Sequence, residues 1–168
     1  MASNPSRDAH TISNYGEGPS RLAGAIADLS EADMDLSLSD DSWTIRMIVH
    51  HVADGDEIWK SFIRQALGNA RGEFKLQWYW QMPQDAWAKR WDYAKRAIEP
   101  SLAVFHANRM QSVQLLEHDA DALDRTLLIR WPNGGEQEVS VRWVVEMQTQ
   151  HVEDHVGDIG KIREAHGC

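Results

Sequence analysis

From Thr44 to Leu67 the chain runs without a proline, and apolar residues return every three or four positions. That period marks an amphipathic helix, because 3.6 residues per turn bring positions three and four apart onto one face. Ile48, Val52, Gly55, Trp59, Phe62 and Ala66 form the stripe, and Arg46, Glu57, Lys60 and Arg64 lie opposite it. A second run of this kind, from Val141 to Ala165, opens behind the capping residue Ser140 and stops at Gly167. Helices in proteins owe most of their stability to burying such a stripe, so both runs need helical partners.

Two further segments supply them. "PSRLAGAIADLSEADMDL" places Leu22, Ala25, Ile26 and Leu29 at helical spacing behind Pro19 and Ser20. From Gln84, Trp87, Trp91, Ala94 and Ile98 repeat at three and four; Pro100 then kinks or restarts a helix that continues through Phe105, Met110 and Leu116. "NARGEFKLQWYWQMP" has no clean period and reads as a long loop folded over something. The β-prone runs flanking "PNGG" predict a small hairpin or turn that is a connection and not a sheet. Residues 1–16 are polar and contain Pro5, which predicts a mobile arm ahead of one domain over 17–168. The expected fold class is all-α, a four-helix bundle with a long loop after its second helix and a small hairpin before its fourth.

At 168 residues such a bundle can bury a real core. The formal charge of −9 repels a phosphate backbone, and no apolar run approaches the ~20 residues that span a bilayer. Neither nucleic acid nor membrane is expected as a partner; a small-molecule substrate is, and a homodimer through an exposed helix face is compatible with the pattern. Cys168 is the only cysteine, so one chain has no disulfide framework or thiolate cluster. With no signal-peptide or transit pattern in the first dozen residues, the expected location is the cytoplasm.

Histidines interrupt both long stripes. His50 and His51 point about 100° apart; His50 lines up with Arg46, Asp54 and Glu57, whereas His51 falls beside Ile48, Gly55, Ile58 and Phe62 and faces the core. In "HVEDHVGDI", His151 and His155 are superposed one turn apart among Val144, Met147, Ile159 and Ile162. Three buried imidazoles cost free energy unless each finds a partner, and one divalent cation satisfies all three. Neutral imidazoles suit zinc, nickel, iron or copper, and three protein ligands leave a position open. Asp158, three residues after His155, is placed to orient an imidazole, to join the ion or to accept a proton. Trp78 and Trp80, on the loop, are placed either in the core or as walls of a ligand pocket beside the metal. A bundle that holds metal or a small ligand without catalysis is the alternative to an enzyme.

"WTIRMIVHHVAD", followed about a hundred residues later by "HVEDHVGDI", resembles the DinB/YfiT-like superfamily. The likeness extends to "LAGAIADLSEADMDL" before Trp43 and to "PNGG" before the last helix. The resemblance implies a four-helix bundle whose three metal-binding histidines match His51, His151 and His155. It also implies a divalent ion, zinc or nickel foremost. The activity implied is that of metal-dependent hydrolases or of thiol-dependent enzymes, namely transferases using bacillithiol, mycothiol or glutathione and maleylpyruvate isomerases. This sequence departs from the family where relatives often carry Gln after "HxG": it has Asp158, which adds negative charge beside the metal.

Overall fold

A computed structural model describes residues 5–69 and 72–168. Four helical columns form a bundle: α1 (Pro5–Gly16) with α2 (Gly18–Ala25), α3 (Ile45–Gly68), α6 (Glu99–His118) and α7 (Val141–His166). The first column packs on α6 and α7, and α3 packs on the same two from the other side, so α3 stands diagonal to α1 and α2. Short elements bridge the columns: β1 (Glu73–Phe74), α4 (Gln77–Trp80), α5 (Gln84–Arg90), β2 (Thr126–Arg130) and β3 (Glu136–Ser140). Among the described residues no helix is long and apolar enough to cross a membrane.

The two long helices begin and end where their capping chemistry stands. Thr44 accepts from the Met47 N–H, Ser140 accepts from the Trp143 N–H, and α7 ends on Gly167 in the left-handed region, where a glycine carries no Cβ penalty. Thr44→Ala is expected to remove about 1 kcal/mol of stability, read as a lower urea midpoint at unchanged slope.

Three expectations are corrected. Residues 5–16 are not an arm: they form α1, whose Ile12 and Tyr15 are buried against α6 and α7, while residues 1–4 of the expected arm lie outside the described residues. The polar composition misleads because only a narrow face of α1 is apolar. The "PNGG" turn joins β2 and β3, but β1 adds to β2 in parallel, so the connection is a three-stranded sheet. Its partner strand comes from the segment read as loop, and two residues are too few to show a period. The helix expected from Gln84 through Ile98 stops at Arg90; Asp92 turns into positive φ, and α6 restarts with Pro100 in its first turn, where a missing N–H costs nothing.

The core divides into two apolar clusters. One gathers Phe62, Ile63, Leu116, Val144 and Val145 with side chains from the sheet, and the other gathers Leu22, Ile45, Val49, Val52, Phe105 and Ile159. Between them lies a polar layer in which Asp56 of α3 and Arg109 of α6 are both fully buried. Arg109 Nε donates to Asp56 Oδ1 at 2.5 Å, Nη1 to the Tyr15 carbonyl at 2.7 Å and Nη2 to the Gln148 carbonyl at 3.1 Å. One guanidinium thereby ties α6 to α1, α3 and α7.

Candidate metal centre

Three imidazoles meet at the upper edge of this polar layer. His51 comes from the second turn of α3, and His151 and His155 from successive turns of α7. Their ring centroids lie 4.6–5.0 Å apart, with the planes nearly perpendicular. One nitrogen from each ring falls within 4.8 Å of the other two, and His51 Nε2 is 3.0 Å from His151 Nε2. A tetrahedral ion with bonds of ~2.0–2.1 Å holds its nitrogens about 3.3 Å apart, so side-chain adjustment alone closes the set. Gly55 borders the cluster: a Cβ there would sit 3.7 Å from the His151 ring, an ordinary van der Waals contact.

Burial and mutual repulsion keep these rings neutral. Burial, reinforced by the charge that either neighbour would carry, pushes the His51 pKa down to about 3. Burial, then His155 and the Arg109 charge, brings His151 down to about 4. His155 is also lowered by burial, against an upward pull from Asp158. A neutral ring offers a lone pair, the form a metal requires. Nδ1 of His151 is buried without a hydrogen-bond partner, and the group facing Nδ1 of His155 is the Asp158 carboxylate, 3.5 Å away.

Asp158 Oδ2 stands 3.5 Å from His155 Nδ1, and Oδ1 accepts from Lys161 Nζ at 2.8 Å. It is therefore beside the triad, on its solvent side. Trp78 and Trp80 are elsewhere. Trp78 lines a 560 Å³ cavity with Asp54, Glu57 and Arg96 that none of the three histidines enters, and Trp80 stacks on Trp131 against the lower core. The aromatic wall of the site is Trp43, whose ring meets His51 edge-on at 4.7 Å and whose Nε1 donates to Asp85 Oδ1 at 2.6 Å. Its position directly before the α3 cap was the available signal.

His50 needs correction as well. It is as buried as any core residue, with Nδ1 2.8 Å from Ser101 Oγ and Nε2 3.2 Å from the Arg96 carbonyl. The polar face of α3 is covered by the 91–98 segment and the start of α6, so the helix is buried on two sides. Asp54, on the same face as His50, is paired with Arg96 at 3.6 Å. The Asp56–Arg109 pair was missed, although both residues keep apolar register: Arg109 falls in line with Phe105 and Leu116, and Asp56 with Val52 and Ile63.

Residues 15–159, which include all three histidines, match the model of the DinB superfamily. The chain belongs to the DinB superfamily. This DinB protein is 26% identical over 156 residues to a protein of Geobacillus thermodenitrificans, covering 93% of this chain and 84% of the relative. It is 27% identical over 146 residues to one of Bacillus mycoides, covering 87% and 79%. Both relatives carry the name "Putative metal-dependent hydrolase". Among solved structures it superposes on YfiT of Bacillus subtilis with a TM-score of 0.83 at 18% identity, over 99% of this chain and 91% of that one. YfiT is described as "a probable metal-dependent hydrolase with an unusual four-helix bundle topology", and at this identity the likeness establishes the DinB bundle fold.

Proposed function

We propose that this protein is a divalent-metal-dependent enzyme acting on a small molecule, with the ion, zinc or nickel, held by His51, His151 and His155. The observation that carries the reading is the convergence of three neutral rings from two helices, with one nitrogen of each within 4.8 Å of the other two. The names of the relatives support metal dependence, and hydrolysis or thiol-dependent transfer is the reaction class. A bound ion supplies Lewis acidity, polarising an oxygen or sulfur ligand and lowering its pKa.

The chain's own residues set the rest. Two of the three rings are mounted one turn apart on α7, so their separation is fixed by helix geometry and costs no loop ordering when an ion binds. Trp43 shields the His51 side from water, and its bond to Asp85 locks the indole. Asp158 is the group placed to take a proton beside His155, with Lys161 holding the carboxylate in position.

Tag-free protein is expected to retain about one equivalent of metal by elemental analysis, and His151→Ala to lose it together with activity. A parent protein without metal after purification, and unable to take up zinc or nickel, sinks the reading.

A further inference from the structure

We propose that the triad serves a ligand with an apolar body and a neutral or cationic far end, and that carboxylates at its mouth turn anionic ligands away. The inference rests on the metal reading above and adds the charge class of what binds there.

Two openings reach the triad. A cavity of about 350 Å³ touches His155; Trp43, Ile48 and Ile162 form its apolar side, and Asp85 and Asp158 its charged one. That volume is at the small end of ligand pockets, enough for a compact organic molecule. A groove on the other side touches His151 and carries Glu146 and Asp154. Neither opening is lined by a lysine or arginine among the described residues. The cations close by are already engaged. Lys161 pairs with Asp158 from a position 65% exposed, where solvent screens it, and Arg109 lies below in the polar layer against Asp56.

An anion coordinating through one end still meets these carboxylates along the rest of its length, whereas an ammonium at the same place is attracted. With charges about 6 Å apart in a partly solvated site, the contrast is worth about tenfold in affinity. The 350 Å³ cavity is the favoured seat, because Trp43, which packs edge-on against His51, forms part of its apolar wall.

The test uses cobalt-loaded protein, whose absorption reports sulfur coordination, titrated with cysteamine and with 3-mercaptopropionate. Both coordinate through a thiolate and differ in the far charge; comparing their affinity ratio between parent and variant cancels any intrinsic difference between the probes. Cobalt stoichiometry is measured first, and no retained cobalt overturns both this inference and the metal reading. With cobalt bound, the ratio is expected to favour cysteamine and to fall about tenfold in Asp85→Asn/Asp158→Asn. Asp85→Asn alone, which leaves the neighbour of His155 intact, is expected to shift it about threefold. An unchanged ratio in both variants, or one that shifts toward cysteamine, overturns the inference while leaving the metal site standing.

Discussion

Arg109→Ala is expected to cost about 3–5 kcal/mol of folding stability, a large share of the ~5–15 kcal/mol that holds a domain of this size together. The guanidinium is wholly buried and makes three hydrogen bonds, one to a carboxylate and two to helix carbonyls. Its truncation strands the Asp56 carboxylate, whose pKa burial already raises against the pull of Arg109. It also strips the cation from above the Tyr15 ring, 3.8 Å away. The cost comes from uncompensated charge more than from lost attraction, so Asp56→Asn/Arg109→Met is expected to lose much less than the sum of its single variants. Urea unfolding of the parent, Asp56→Asn, Arg109→Met and the double variant measures this, with Arg109→Ala beside them. A loss below about 1 kcal/mol in Arg109→Ala, or strict additivity, refutes the role given to the pair.

The second large effect is acid destabilisation of the metal-free protein, and its direction follows from the triad. His51 and His151 titrate at about 3 and about 4 in the fold, both below the unfolded value of 6.5. Between those limits the unfolded chain binds protons that the folded chain refuses, so stability is full above about pH 6.5 and drains as pH falls through the folded values. For His151 alone the displacement from 6.5 to about 4 corresponds to roughly 3 kcal/mol, since one pKa unit is about 1.4 kcal/mol. Carboxylates titrate lower in the same range, so the decisive quantity is the difference between chelator-treated parent and His51→Gln/His151→Gln. The parent is expected to lose stability faster on acidification from pH 6.5. Parallel profiles would show that the rings are not held neutral by the fold. Metal uptake follows the same direction, because protons compete for the same nitrogens.

Much of this molecule was legible along one dimension. The stripe of α3, the pairing of His151 with His155, and the caps Thr44, Ser140 and Gly167 are local properties, decided within a turn or two of helix. His51 was assigned inward by its angle from Ile48 and Phe62, and it meets the other two histidines. What a helical wheel does not contain is how many sides of the helix are covered. His50 and Arg46 were assigned to a polar face that the 91–98 segment buries, and each pairs with groups brought from far along the chain: Ser101 for His50, Glu31 and Asp35 for Arg46. Tryptophans behaved likewise. Trp78 and Trp80 suited a pocket wall by type, and only the path of the chain from Gly72 to Gln84 placed them away from the histidines.

The amino-acid order by itself determined the two long helices α3 and α7, their capped starts and the inward aim of three imidazoles, because those depend on a repeat of 3.6 residues and on short-range hydrogen bonds. The bundle's packing decided that α3 is wrapped on two faces, that β1 completes a sheet and that Asp56 meets Arg109. It also decided which carboxylates stand at the mouth of the triad. Those are pairings between residues tens of positions apart, and their free energies exist only once the helices have closed on one another.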